Sequence, residues 1–167
     1  HDDVNSHNNL GILLLDAARP DAAETSFRSA ISIDPNFPEA WNNLGTALQN
    51  QQRHAEAEAA YRKAIALNEE FAVSHGNLAN SLHAQRKLIE AEGEYRRALD
   101  LDPGSSGTHW NLAVLLLSQG RWSETWSHFD HRNDPCRQQR NDKFRCPEWR
   151  GESLLGKSLL IDTVEGQ

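Results

Sequence analysis

The sequence predicts an all-α fold in which antiparallel helix hairpins stack on one another as a solenoid. The first observation is a pattern that recurs every 34 residues, at Asn9-Leu10-Gly11, Asn43-Leu44-Gly45, Asn77-Leu78-Ala79 and Asn111-Leu112-Ala113. The second is that apolar residues within each copy stand three and four positions apart, which is the spacing of amphipathic helices. A hairpin of this size has an apolar face that it cannot bury alone, so we expect neighbouring copies to stabilise one another.

Each copy is predicted to contain two helices, at 5–17 and 21–33, 38–51 and 55–67, 72–85 and 89–101, and 106–119 and 123–131. Asp34-Pro35 and Asp102-Pro103 should end two of the second helices, because proline disfavours a helical residue before it and lacks a backbone donor. The small residues Gly11, Gly45, Ala79 and Ala113 predict a close approach within each pair, with the recurrent alanine of the second helix facing them. Large residues at one recurring position should pack between one copy and the next, namely Phe27, Tyr61, Tyr95 and Phe129.

The four copies are predicted to occupy residues 4–133, with boundaries at 4–37, 38–71, 72–105 and 106–133. The fourth copy departs from the pattern, because Thr125 stands where the other three have alanine and no closing proline follows. A repeat array needs a covered or polar end, so we expect a cap or junction there. Residues 134–167 are predicted to form an irregular extension with one short buried strand at 158–161.

Composition excludes several classes of protein. The formal net charge of -7 argues against nucleic-acid binding, which needs surplus lysine and arginine. No apolar run is long enough to span a membrane, and two cysteines do not make a secreted disulfide scaffold, so we expect a cytoplasmic protein. The chain starts with His1, has no signal peptide and contains no methionine, so we expect a fragment of a longer protein, with a further copy before residue 4.

The second copy carries the most recognisable motif, with Trp41, Leu44-Gly45, Ala57 and Tyr61 at fixed offsets. It resembles the tetratricopeptide repeat, W-x2-L-G-x2-Y followed by A-x3-F and a proline. This resemblance implies a right-handed superhelix whose concave face is lined by the first helix of each copy. Such a face implies a scaffold that binds a peptide or an extended protein segment.

An asparagine precedes the recurrent leucine in every copy, about 100° around the first helix from that buried side chain. We predict a peptide-binding ladder along the concave face, because a carboxamide offers both a donor and an acceptor to an extended main chain. Its members would be Asn9, Asn43, Asn77 and Asn111, with Thr46, Asn50 and Asn80 on the same stripe. The alternative is that these asparagines cap or bridge neighbouring first helices through water, and the sequence leaves both open. No lysine lies on this stripe, so capture of a C-terminal carboxylate is not expected.

Candidate metal and catalytic groups are weak. His7, His75 and His109 share the position of Trp41, but they recur at every second helix and so stand too far apart to hold one metal. His128, His131, Cys136 and Cys146 lie within 19 residues, yet without the spacing of a zinc knuckle. A disulfide between the two cysteines is a second alternative, and two ordinary thiols are favoured. No catalytic motif is present, so we expect no cofactor and no catalysis by this chain.

A second resemblance concerns the parent protein. The Asn-Leu-Gly copies over residues 4–132 resemble those of O-linked N-acetylglucosamine transferases and their bacterial relatives, which implies that the four ladder asparagines hold acceptor peptides. The junction between such repeats and a glycosyltransferase-like domain resembles three stretches of this chain, at 120–129, 147–152 and 155–161. Arg150 departs from the pattern of that junction, which has an acidic residue at this position. An attached transferase that uses the repeats to recruit substrates is therefore one alternative function, with its catalytic domain absent here. Self-association through the exposed ends of the array and Leu159-Leu160-Ile161 is another.

Overall fold

The computed structural model describes residues 3–129, which fold into helices joined by short loops. The helices are α1 (Val4–Asp16), α2 (Pro20–Ile33), α3 (Pro38–Asn50), α4 (His54–Leu67), α5 (Ala72–Ala84), α6 (Leu88–Leu101), α7 (Ser106–Ser118) and α8 (Trp122–Phe129). The all-α prediction is confirmed, and the predicted helix ends lie within two residues of these. The predicted extension at 134–167 and its strand at 158–161 lie outside the described residues.

The pairwise packing of the helices defines the direction in which the stack curves. Each first helix packs on its own second helix, and each second helix packs on the first helix of the next copy. The backbones of neighbouring first helices also approach one another, whereas within residues 3–129 second helices of successive copies meet only through long side chains, as in the ion pairs of Arg62 with Glu90 and of Arg96 with Glu124. First helices of successive copies are therefore closer together than second helices are, and they line the inner, concave side of the array.

The loop inside each hairpin ends its first helix in the same way in all four copies. One loop residue has a left-handed backbone, with φ of 55° at Ala18, 63° at Gln52, 63° at Arg86 and 74° at Gly120. The next amide reaches back to the carbonyl five residues earlier, as from Arg53 to Leu48 at 3.0 Å, which is the bond of a Schellman cap. This cap turns the chain sharply enough for the second helix to fold back on the first.

The close approach predicted within each hairpin is present in the first two copies. A Cβ atom added to Gly11 would lie 2.4 Å from Cε1 of Phe27, and one added to Gly45 would lie 2.5 Å from Cε1 of Tyr61. Phe27, Tyr61 and Tyr95 are almost completely buried, and they belong to one core cluster that runs through the stack. Glycine therefore allows the aromatic ring of the second helix to lie directly against the backbone of the first.

Ion pairs connect successive copies at one recurring place outside the core. A glutamate in the second helix of one copy accepts a hydrogen bond from a basic residue in the next hairpin loop: Glu24 from Arg53 at 2.7 Å, Glu58 from Lys87 at 2.8 Å, and Glu92 from Arg121 at 2.7 Å. Gln51 also donates a hydrogen bond to Glu24, and Gln85 also donates one to Glu58. Each such cluster sets the register of two adjacent copies, since both partners belong to rigid elements.

Among the described helices, none has both the length and the apolar character that crossing a bilayer requires.

Candidate functional site

The ladder asparagines lie on the first helices, which line the concave side, and Asn43, Asn77 and Asn111 form hydrogen bonds between copies. Nδ2 of Asn43 donates to Oδ1 of Asn8 at 2.9 Å, and Nδ2 of Asn77 donates to Oδ1 of Asn42 at 3.1 Å. In the last copy Nδ2 of Asn111 donates to Oδ1 of Asn80 at 2.9 Å. Neighbouring first helices are thus joined directly, side chain to side chain. The bridging between first helices that was left open above therefore occurs, but through direct hydrogen bonds and not through water.

These bonds do not use all of the hydrogen-bonding capacity of the ladder. A carboxamide has two N–H groups and an oxygen with two lone pairs. Asn77 and Asn111 each use one N–H for the neighbouring copy, and their Oδ1 atoms accept no hydrogen bond from the described residues. Asn9 is exposed and has no side-chain hydrogen bond within the described part of the chain. Donors and acceptors therefore remain on the concave surface beside the bonds that join the copies.

Two of the other predicted stripe residues are held in place by buried tyrosines. The hydroxyl of Tyr61 donates to Oγ1 of Thr46 at 3.3 Å, and the hydroxyl of Tyr95 donates to Oδ1 of Asn80 at 2.6 Å. Burial raises the pKa of Tyr61 to about 12, the hydrogen bond with Thr46 opposing this shift, and burial also raises the pKa of Tyr95. Both hydroxyls stay protonated at neutral pH and act as donors. The remaining stripe residue, Asn50, is exposed at the end of α3.

A cavity of about 230 Å³ opens on this surface between the third and fourth copies. Its lining includes Asn77, Asn80 and Asn111, together with Gly76, Gly107 and Thr108. Gly76 stands where the first two copies have Asn8 and Asn42, so the side chain that would accept the bond from Asn111 is missing there. Asn111 bonds to Asn80 instead, and the space left by Gly76 becomes part of the cavity.

Sequence reasoning missed Asn8 and Asn42. Both are more than nine-tenths buried, and they supply the acceptors that join the ladder. Asn42 accepts from Ser74 at 3.1 Å as well as from Asn77, so it connects α3 to α5 through two bonds. The doublets Asn8-Asn9 and Asn42-Asn43 were the available signal, because a second asparagine one position away faces the adjacent helix rather than the groove.

The weak metal candidates receive no support from the described residues. His128 lies with its Nδ1 atom 2.9 Å from Nδ1 of His109, and the part of the chain that the structure describes holds no cluster of three or more metal-ligating side chains. His131, Cys136 and Cys146 lie outside the described residues.

The position shared by Trp41, His75 and His109 has a structural role. Nε1 of Trp41 donates to the carbonyl of Pro35 at 2.9 Å, and Nε2 of His109 lies 3.0 Å from the carbonyl of Pro103. His75 contacts the carbonyl of Glu69 in the same way at 3.3 Å, with its other ring nitrogen 2.6 Å from a carboxylate oxygen of Glu94. An aromatic N–H at this position therefore ties the first helix to the loop that precedes it.

A curved stack of helical hairpins with its first helices inside defines a helical repeat protein. Three family models, each described as tetratricopeptide repeat, match residues 4–37, 38–71 and 75–124. These matches together cover most of the chain, which belongs to the tetratricopeptide repeat family.

Solved structures of several repeat proteins are similar to this chain. MamA matches with 22% identity and a TM-score of 0.71, over 78% of this chain and 76% of that one. The first tetratricopeptide repeat domain of Spaghetti (RPAP3), bound to the HSP90 peptide SRMEEVD, matches with 22% identity and a TM-score of 0.68, over 71% and 94%. A mutant of Thermobaculum terrenum O-GlcNAc transferase matches with 25% identity and a TM-score of 0.66, over 68% of this chain and 22% of that one. No curated protein sequence matches.

Proposed function

We propose that this chain is a protein-interaction scaffold whose concave face binds an extended peptide along Asn9, Asn43, Asn77 and Asn111. The observation that supports this most directly is the set of unused hydrogen-bonding atoms on the ladder. The Oδ1 atoms of Asn77 and Asn111 are acceptors without a described donor, and Asn9 offers its whole carboxamide. The N–H and C=O groups of an extended main chain are suited to such a row.

The bonds between copies favour this function, because they hold the carboxamides in fixed orientations before a ligand arrives. A preorganised side chain loses less conformational entropy on binding than a mobile one does. Thr46 and Asn80 are restrained in the same way by the tyrosine hydroxyls, and Asn50 extends the stripe at the exposed end of α3. The proposed site is therefore a rigid surface that reads the main chain of its partner.

The chemistry of the groove limits the kind of partner. The Spaghetti domain in the similar structure holds a peptide that ends in acidic residues. Here the cavity lining contains Asp102 and no lysine or arginine, while Lys87 is engaged by Glu58 and Lys63 lies on the second helix α4. We therefore propose a neutral or basic extended segment as partner, bound in the cytoplasm without catalysis by these residues.

A second candidate is recruitment of substrates to an attached glycosyltransferase. It is favoured by the similarity to Thermobaculum terrenum O-GlcNAc transferase, of which this chain covers 22%. The two candidates share the concave peptide site and differ in what is attached to it. Assay of the longer protein for sugar transfer to a peptide that the repeats bind would separate them.

The test of the scaffold proposal uses a peptide selected from a phage-displayed random library on the wild-type chain, with its affinity measured by fluorescence anisotropy. Asn9→Ala should weaken binding about two- to tenfold, which corresponds to one hydrogen bond of roughly 0.5 to 1.5 kcal/mol. It should leave the thermal midpoint unchanged, because Asn9 makes no side-chain bond to the described residues. Asn77→Ala should weaken binding and also lower stability by about 1 kcal/mol, since the bond to Asn42 is lost.

Lys63→Ala is the matched control, because Lys63 is exposed on α4, away from the first helices. Its affinity should equal that of the wild type. If Asn9→Ala and Asn111→Ala together left the affinity of every selected peptide unchanged, the concave ladder would not be the binding surface.

A further inference from the structure

The cavity between the third and fourth copies exists where a side chain is missing. Gly76 stands where the first two copies have Asn8 and Asn42, whose side chains are 7% and 6% exposed and bond to the next copy. A Cβ atom added to Gly76 would lie 3.4 Å from Oγ1 of Thr108, which is an ordinary contact distance, so the fold has room for a side chain here. Space that an asparagine fills at the two earlier junctions is therefore free for a ligand at this one.

The lining of this cavity is rich in hydrogen-bond acceptors that no described residue uses. The Oδ1 atoms of Asn77 and Asn111 accept no hydrogen bond within residues 3–129. Asp102 also lines the cavity, and one of its oxygens accepts a hydrogen bond from the amide of Gly104 at 3.1 Å. The carboxylate of Asp102 forms no ion pair with another described residue, and no lysine or arginine from the described part of the chain lines the cavity. A ligand group that donates hydrogen bonds and carries a positive charge would complement this surface.

The same cavity has an apolar part. Ala72, Val73 and Ala98 line it beside the polar groups, and Val73 is 57% exposed on the first helix α5. Lysine and arginine combine an apolar methylene stem with a charged end, and they bury the stem against apolar surface while the end reaches polar partners. A basic side chain therefore matches both parts of the lining.

We propose that this cavity binds one lysine or arginine side chain of the peptide that lies along the ladder. The cationic end pairs with the carboxylate of Asp102 and donates hydrogen bonds to the Oδ1 atoms of Asn77 and Asn111, while the stem contacts the apolar part of the lining. An acidic side chain would be repelled by Asp102, and an apolar one would cover the two Oδ1 atoms without giving them a donor, which costs free energy. This inference rests on the proposed function and adds to it a requirement for a basic residue at one position of the partner.

The probes are peptides selected from a random phage-displayed library on the wild-type chain. Each is synthesised with a fluorescent label, first unchanged and then with each basic residue in turn replaced by norleucine, and anisotropy measures the affinity of every form. Norleucine keeps an unbranched apolar stem and removes the charge and the donors. At one position of the peptide the wild-type chain should prefer the basic form by about tenfold, the scale of a hydrogen bond to a charged group.

Two variants of the protein test the two parts of the site. Gly76→Asn fills the cavity with the residue that the first two copies have there and leaves the ladder asparagines in place, so the preference for the basic form should fall below about twofold. Its thermal midpoint should be at least that of the wild type, because asparagine has a higher helix propensity than glycine. Asp102→Asn removes the charge and should reduce the preference about two- to fivefold, the scale of an exposed ion pair. The fold should tolerate it, because Asn68 at the same position of the second copy accepts the equivalent hydrogen bond from the amide of Glu70 at 3.1 Å.

Asp34→Asn is the matched control for the charge. Asp34 holds the position of Asp102 at the junction of the first two copies, where Asn8 occupies the position that Gly76 leaves open. The control variant removes the same charge from the protein at a junction without the open space. It should therefore leave the preference for the basic form at the wild-type value.

Selected peptides that contain no basic residue would overturn the proposal, as would an unchanged preference in Gly76→Asn or equal effects of Asp102→Asn and Asp34→Asn. Asn9→Ala should weaken the basic and norleucine forms by the same factor, since it removes a ladder contact and leaves the cavity intact. Peptides that lose affinity with Asn9→Ala but show no basic preference would overturn this inference and leave the ladder standing. A basic preference that depends on Gly76, in peptides that Asn9→Ala and Asn111→Ala leave unaffected, would support the cavity and contradict the ladder.

Discussion

Gly45→Ala should destabilise the array, because the position leaves no room for a methyl group. The added Cβ would lie 2.5, 2.7 and 2.8 Å from three carbons of the Tyr61 ring, whereas ordinary contacts begin near 3.4 Å. The ring cannot turn aside cheaply, since it is almost fully buried and its hydroxyl contacts Thr46 at 3.3 Å and Gln49 at 3.2 Å. The α3–α4 hairpin must therefore open or the ring must leave its hydrogen bonds.

The size of this effect follows from two destabilising contributions and one that opposes them. Overpacking a core costs about 1 to 3 kcal/mol, and the weakened hydroxyl bonds add about 1 kcal/mol. Alanine regains about 1 kcal/mol of helix propensity over glycine. The net loss should be roughly 1 to 3 kcal/mol, which urea denaturation followed by circular dichroism would measure as a lower midpoint at a similar slope.

A double-mutant cycle tests the proposed cause. In a Tyr61→Leu background the ring is absent, and Gly45→Ala should become neutral or stabilising by up to about 1 kcal/mol. Ala79→Gly is the control in α5, where the equivalent residue already has a methyl group, and it should cost about 1 kcal/mol through helix propensity. An equal cost for Gly45→Ala in both backgrounds would refute the steric explanation.

Two further predictions concern the loops and the ion pairs. The Arg86→Gly variant should be more stable than the Arg86→Ala variant by about 0.5 to 1 kcal/mol in urea denaturation, because position 86 has a φ of 63° that glycine adopts without strain. Equal stability of the two variants would contradict this prediction. Burial acts to raise the pKa of Glu58, but hydrogen bonds from Lys87, Gln85 and Arg62 outweigh burial and hold that pKa below the usual 4.5. The stability that ionised Glu58 contributes is therefore present above pH 4.5, and it is lost as the pH falls through the lower pKa of the folded state. Stability of the wild type relative to Glu58→Gln should thus shrink in that acid range, and a constant difference would argue against it.

Much of the fold could be predicted because the signals were local and repeated. Helix positions followed from apolar spacing, and the prolines after Asp34 and Asp102 marked two helix ends. The close approach within a hairpin followed from the glycines, but the sequence indicated an alanine opposite them and the aromatic residues between copies. In the structure Phe27 and Tyr61 lie directly against the glycine of their own hairpin. The left-handed residues Ala18, Gln52 and Arg86 could not be recognised, because none of them is a glycine or an asparagine.

The candidate site was predicted less completely. The ladder positions were identified, but the partners Asn8 and Asn42 were missed, and nothing in the sequence indicated that Asn111 would bond to Asn80. The reason is that a side-chain hydrogen bond between copies depends on the rotation and separation of two helices 34 residues apart in the chain. Local periodicity carries no information about that separation.

The sequence by itself determined the repeat length, the two helices of each copy and the close approach of the two helices in a hairpin, because all of these depend on spacing along a single segment. The tertiary structure decided which carboxamide atoms are used between copies and which remain on the concave face. It also decided that Asn111 bonds to Asn80, because Gly76 stands where the first two copies have an asparagine. The use of each carboxamide is set by what the neighbouring helix presents, and equivalent asparagines in two copies can therefore have different partners.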